Sequence, residues 1–246
     1  TISRKTLTAD ALNTTLSGND LQTDTINGTY YYTYDGSEKK PSVIIKDGSV
    51  VIPASEYTVG YSNNKNVGDA TVTITNSEGG NYTVNGSVTF EIRKGSAELA
   101  TYPQAKDLTY TGQMQELVAG GTATGGHIEY ALDGVSCGED IPKATFARTY
   151  TVTYKAVGDD NHEDSTKVGS VTVTISPKTV VSPIITVSGG PYTYDGSAKE
   201  PGTANVKVED GGNTIPDTEY TLSYRDNVNA GTATVIITNA NGGNYI

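Results

Sequence analysis

The densest group of metal-ligating side chains in the sequence is Gly158-Asp159-Asp160-Asn161-His162-Glu163-Asp164. Oxygen donors gathered in one loop are what Ca²⁺ requires, and Asp159, Asp160 and Asp164 are the candidate ligands. Their spacing is not that of a twelve-residue calcium loop. A solvated hairpin turn is therefore the favoured reading, and no cofactor is expected. A second candidate is a thiol–imidazole pair, Cys137 with His127 ten residues before it. Such a dyad needs its base beside the nucleophile, and an incidental loop thiol is favoured. With His162 the only other histidine, three or four zinc ligands have no obvious source. No catalytic residue is assigned, and the chain is read as a non-enzyme.

The third candidate is aromatic. In Tyr30-Tyr31-Tyr32-Thr33-Tyr34 an extended backbone puts Tyr30, Tyr32 and Tyr34 on one face. Such a face could stack on sugar rings. Tyr30 and Tyr32, with Asn63 and Asn64 of the Asn-rich loop 61–68, are the binding candidates. Two plainer readings compete. The chain has 17 Tyr, two Phe and no Trp, so tyrosine must also fill cores. Asn and Gly in such loops also satisfy turn geometry.

The elements that would hold these residues are short strands. Period-two alternation marks 70–75 and 171–175, and further strands are expected at 30–34, 42–46, 57–61, 150–155, 220–224 and 233–238. Asn-Gly and Asp-Gly pairs punctuate them at Asn27, Asp35, Asp47, Asn85, Asp133 and Asp195, as tight turns with positive φ require. Short helices are expected only at 11–16, after Asp10, and at 96–100.

These elements recur. Thr-Tyr-Asp-Gly-Ser occurs at Thr33 and again at Thr193, each copy heading a stretch that ends in Gly-Gly-Asn-Tyr, at Tyr82 and Tyr245. Between those ends both copies carry Ile-Pro (Ile52, Ile215), Glu-Tyr-Thr (Glu56, Glu219), Ala-Thr-Val and Ile-Thr-Asn. A divergent unit lies between them, with Tyr110-Thr111-Gly112, Ile141-Pro142 and the acidic run in the matching places. Residues 1–3 match Thr174-Ile175-Ser176 and read as the tail of a preceding unit. The expected division is 4–93, 94–176 and 177–246, joined by linkers of a few residues that favour an end-to-end string. The third unit stops without its last strand. The first carries a 13-residue expansion within 7–27, since Lys5 to Asp35 is 30 residues and Lys178 to Asp195 is 17.

Composition sets outer limits. At 246 residues two or three small domains are affordable in size. A net charge of −11 argues against nucleic acid, whose phosphates need Lys and Arg. One cysteine forbids an intrachain disulfide. No apolar run is long enough to span a membrane as a helix. Roughly seven strands per unit, without a long helix, predict an all-β chain of tandem antiparallel Ig-like β-sandwich domains. The alternative is a β-grasp, in which one helix crosses a sheet.

Aligned in this way, the units resemble the MBG/YDG-type bacterial Ig-like surface repeats found in adhesins and cell-wall proteins. The resemblance rests on Tyr34-Asp35-Gly36 and Tyr194-Asp195-Gly196, on 61–68 and its counterpart 224–231, and on the two Gly-Gly-Asn-Tyr ends. It implies an extracellular tandem-repeat stalk or adhesive region at a bacterial cell surface or wall, and a monomer is expected. It hands over no ligand residues; a host or matrix glycan or a surface protein is the expected partner. The alternative function is a set of accessory modules of an extracellular glycan-active enzyme.

Overall fold

In the strand Gly68–Asn76, Ala70, Val72 and Ile74 turn inward, and the threonines between them stay partly or fully exposed. That arrangement is the alternation read from the sequence, carried into three dimensions. The computed structural model describes residues 1–7 and 13–246. Each of the eight expected strands is present, within a few residues of its expected ends. The fold is all-β with several sheets, consistent with the β-sandwich class. Among the described residues the helical elements are three-residue 3-10 turns, at Ala54–Glu56, Thr203–Asn205 and Asp217–Glu219.

The helices expected at 11–16 and 96–100 are corrected. Asn13–Ser17 is a strand paired antiparallel with Ser42–Asp47, and Glu98–Thr101 is also a strand; residues 8–12 lie outside the described residues. Thr14 and Thr15 are β-branched and favour that state. Among the described residues no helix crosses a sheet as a β-grasp requires.

The chain divides into two compact units. The first comprises Thr1–Ala100, Thr122–Ile128 and Lys155–Val168. Its larger sheet has the order Gln22–Thr23, Tyr30–Thr33, Gly86–Arg93, Gly68–Asn76, Tyr57–Ser62, and its smaller sheet the order Asn13–Ser17, Ser42–Asp47, Val50–Val51. Leu7, Ile45, Ile52, Tyr57, Ile74 and Val84 form one core cluster. Leu16, Tyr32, Ala70, Val72, Phe90 and Ile92 form a second.

The second unit comprises Thr101–Gly121, Glu129–Tyr154 and Gly169–Ile246. Within it Asp133 and Gly134 both have positive φ (49° and 87°), giving the two-residue hairpin turn that Asp-Gly announces. Its C-terminal part holds a three-stranded sheet, Pro183–Val187, Val206–Asp210, Asn213–Ile215, and the hairpin Tyr220–Arg225 with Thr234–Asn239. Val208, Ile215 and Tyr220 form its core. They stand where Ile45, Ile52 and Tyr57 stand in the first repeat.

Purely antiparallel pairing does not hold. Tyr31–Thr33 runs parallel to Glu91–Arg93, and Leu108–Thr109 runs parallel to Ile175–Ser176. Lys5–Leu7 is parallel to Tyr82–Val84, as Gly95–Ser96 is to His162–Glu163. In each pair the two partners lie more than fifty residues apart, so no hairpin turn constrains their direction.

Candidate functional site

The Tyr-Asp-Gly phrase is a clasp. Gly36 sits at φ +81°, and its matches Gly112 and Gly196 at +78° and +80°, a region that favours glycine. Asp35 Oδ1 accepts from the Ser37 backbone N–H at 2.9 Å and from Ser37 Oγ at 2.6 Å, while Oδ2 pairs with the buried Lys39 ammonium at 2.6 Å. Asp195, Ser197 and Lys199 repeat this geometry. Lys39, then Ser37, hold the Asp35 carboxyl well below its usual value of 3.8. A lowered folded pKa adds stability that is present above the unfolded value and is lost as pH falls through the folded one. Asp35→Asn should therefore unfold more readily at pH 7. Its deficit against the parent should shrink as pH falls below about 4. Urea unfolding from pH 7 to pH 2 measures this; a deficit constant over that range would contradict the clasp.

The Glu-Tyr-Thr and Gly-Gly-Asn-Tyr phrases belong to one clamp. Glu56, buried, accepts from the backbone N–H groups of Asn81 and Tyr82 at 2.6 and 3.1 Å and from Asn81 Nδ2 at 3.2 Å. Glu219 does the same for Asn244, at 2.6 Å from both its N–H and its Nδ2. A Cβ on Gly80 would lie 2.4 Å from Glu56 Oε2, and one on Gly243 2.6 Å from Glu219 Oε2, so the second glycine of each phrase clears space for the carboxylate.

In the middle repeat the carboxylate is local. Asp159 Oδ1 accepts from the Asn161 N–H at 2.8 Å and stands 2.7 Å from His162 Nδ1. His162 and the Asn161 N–H pull the Asp159 pKa down. Asp164 is engaged separately, by Lys155 Nζ and by the Gly158 N–H, both at 3.0 Å. Asp160 is exposed. Among the described residues no group of three or more His, Cys, Asp and Glu side chains is placed to hold a metal ion.

These Asn-aromatic ends meet the Tyr of the preceding repeat, and this joint occurs once inside each compact unit. In the first, Tyr34 stands edge-to-face on His162 (centroids 5.1 Å apart, 89°), and Asn161 Oδ1 accepts from the Val67 N–H at 3.0 Å. In the second, Tyr110 stands edge-to-face on Tyr245 (5.4 Å, 72°), and Asn244 Oδ1 accepts from the Ala147 N–H at 2.7 Å. One crossing strand fixes both partners. The Tyr34 N–H donates to Arg93 O and the Gly95 N–H to Asn161 O; the Tyr110 N–H donates to Ser176 O and the Lys178 N–H to Asn244 O. Val67 and Ala147 match each other in the alignment, as do Asn161 and Asn244.

The sequence candidates are distributed as follows. Tyr32 is 5% exposed, edge-to-face on Phe90, and part of the second core. It is thus withdrawn as a sugar-stacking residue, because its face of the strand points at the opposite sheet. Tyr30 is half-buried against the same core. Tyr31, on the other face, carries the Arg93 guanidinium 3.8 Å from its ring centre. Asn63 holds the positive φ of its turn (+55°), as Asp226 does (+58°), and Asn64 Nδ2 donates to Lys39 O at 2.9 Å, as Asn227 does to Lys199 O. Both asparagines serve the turn. The Cys137 thiol contacts Val135 O. Cys137 and His127 belong to different compact units.

Most of the 13-residue expansion falls after Ser17. Sixteen residues separate Leu16 from Tyr32, but five separate the matching Val187 from Tyr192. The surplus forms the edge strand Gln22–Thr23 and the turn after it, pinned by Asp24 to Arg93 at 2.8 Å. The joint residues were missed in the sequence. Their signal was there in the recurrence of both an Asn-aromatic pair and a Tyr-x-Gly, but nothing local says that the two touch. Comparison with protein-family models, with curated proteins and with solved structures finds no match to this chain.

Proposed function

We propose that the chain is a non-catalytic tandem-repeat stalk or adhesive region of a bacterial cell-surface protein, built from Ig-like β-sandwich repeats. The observation that carries this reading is the joint. The same tyrosine, the same asparagine and the same parallel strand pair recur where one repeat follows another. The repeated phrases are spent on clasp, clamp and joint, which is what a spacer selected for reach requires. Binding of glycan or a surface protein then falls to the parts that differ between repeats. The foremost of these is the edge strand and turn at 17–28.

Among the described residues no helix is long and apolar enough to cross a membrane. Small-angle scattering tests the stalk. A globule of this length has a radius of gyration of about 18 Å, and an end-to-end string should give a clearly larger value. A radius near 18 Å would overturn the reading. A glycan array with the chain and with a variant shortened in 17–28 separates adhesion from spacing alone.

A further inference from the structure

Among the described residues the two five-stranded sheets end on four edge strands, and three of them are blunted. Gln22–Thr23 and Leu108–Thr109 are two residues long, and the Asp24–Arg93 ion pair flanks the first. Val135–Gly138 is four residues long, and its pairing slips in register between Tyr130 and Ala131. Short strands, charges and bulges are the means by which sheets avoid joining edge to edge. The fourth edge, Tyr57–Ser62 in the first unit, has none of them. It runs for six residues, Tyr-Thr-Val-Gly-Tyr-Ser, without a charge or a proline. The matching strand of the third repeat, Tyr220–Arg225, ends on an exposed arginine.

The bare edge is preformed. The Ser77 N–H donates to Glu56 O at 2.9 Å, and antiparallel bonding alternates from that pair, so Thr58, Gly60 and Ser62 exchange bonds with Gly68–Asn76. Tyr57, Val59 and Tyr61 therefore direct their N–H and C=O groups away from the sheet. Among the described residues no backbone group bonds to them there. The Tyr57 and Tyr61 hydroxyls donate to Val43 O and Pro41 O, which fixes the strand against the smaller sheet. The middle repeat shows what such an edge accepts. There the strand at that place in the sheet order, Gly126–Leu132, carries one more strand, Val135–Gly138, antiparallel to it.

We propose that Tyr57–Ser62 pairs antiparallel with the same strand of a second copy, about a two-fold axis through Val59. This register places Val59 opposite Val59, Tyr57 opposite Tyr61 and Thr58 opposite Gly60. The alternation selects it. Centred on Val59, every outward N–H and C=O of Tyr57, Val59 and Tyr61 faces an outward partner. Centred on Gly60, those of Tyr57 would face Asn63, which has left the strand at φ +55°. The side chains are self-complementary too, since tyrosine meets tyrosine and no like charges are opposed. The interface is isologous and closes at the dimer. It is small and made mainly of backbone bonds, which puts it in the weak class. The inference is independent of any cell-surface location, and it replaces the expected monomer only at high concentration.

Sedimentation equilibrium of the whole chain from about 10 µM to about 1 mM is the first measurement. The weight-average mass should stand near 25.8 kDa at the low end, rise with concentration and not pass twice that value. Thr58→Lys combined with Gly60→Lys puts lysine opposite lysine and should weaken association about tenfold or more. Both residues are exposed, and a Cβ at Gly60 meets nothing within 4 Å, so the melting temperature should hold. Cysteines then read the register. Thr58 and Gly60 of opposite copies form a non-hydrogen-bonded pair with Cα atoms about 4.5 Å apart, whereas Thr58 and its own equivalent stand diagonally at about 7–8 Å. With Cys137→Ser in each chain, a mixture of Thr58→Cys and Gly60→Cys copies should form a disulfide under oxidised glutathione. Either copy alone should form far less. A mass constant to the highest concentration, growth beyond the dimer, association that the lysines do not weaken, or crosslinking as fast in single variants as in the mixture would each overturn the proposal. Binding of a peptide of residues 56–62 without self-association would show that the edge takes an extended strand but not a second copy, and the proposal would fall.

Discussion

Phe90→Ala is expected to destabilise the first repeat by about 3–5 kcal/mol, the range for truncating a fully buried aromatic residue. Phe90 is 1% exposed and lies on the central strand of the larger sheet, opposite Ala70. It stands edge-to-face on Tyr32, with centroids 5.6 Å apart at 75°. Such a pair adds about 0.5–1.5 kcal/mol to the area it buries. Collapse cannot fill the space readily, because Gly86–Arg93 is hydrogen-bonded on both flanks, to Gly68–Asn76 and to Tyr30–Thr33. Phe90→Leu keeps most of the volume and should cost about half as much. Urea unfolding followed by tyrosine fluorescence measures both, since the chain has no Trp. A loss below about 1 kcal/mol for the alanine variant would mean that the second core is not packed as described.

The second large effect is expected from Glu56→Ala, which should lower the melting temperature of the first repeat by roughly 10 °C. The carboxylate satisfies three N–H donors of Asn81 and Tyr82, and no other described acceptor replaces it. The half-buried Tyr82 N–H loses its acceptor and water replaces it poorly, whereas exposed Asn81 can turn to solvent, so the cost falls mainly on Tyr82 and on the emptied Glu56 site. Burial works against the charged form, but the Tyr82 and Asn81 N–H bonds prevail and hold the Glu56 pKa below its usual value. Its contribution is therefore complete at neutral pH and fades as pH falls through that lowered pKa. Glu56→Gln retains one acceptor and should lie between parent and alanine variant. Gly80→Ala should act in the same direction by pushing the carboxylate aside. Calorimetry across the four proteins checks the order, and an alanine variant as stable as the parent would dismiss the clamp.

Glu56 also marks the limit of what could be read from the sequence. The phrase containing it and the phrase ending in Tyr82 were visible as repeats, but 25 residues separate the carboxylate from Asn81. Recurrence shows that both phrases are retained in each copy, not that one binds the other. The acidic run at 159–164 illustrates the converse. Its composition suggests a cation site, whereas Asp159 caps Asn161 within the turn and so does locally what Glu56 does from afar. The tyrosine run is instructive too. Alternation placed Tyr30, Tyr32 and Tyr34 on one face, yet Tyr32 enters a core and Tyr34 meets the next repeat. That difference depends on which strand lies alongside and where it leads.

The sequence by itself determined the eight strands with clear alternation or β-rich runs, the tight turns and the repetition. All three arise from interactions within a few residues: side chains alternating across an extended backbone, and glycine, asparagine or aspartate accepting positive φ. Tertiary structure alone decided the parallel pairings, the Glu–Asn clamp and the two joints. Each of those joins residues far apart in the chain, and their meeting depends on burial and strand order, which no local period encodes.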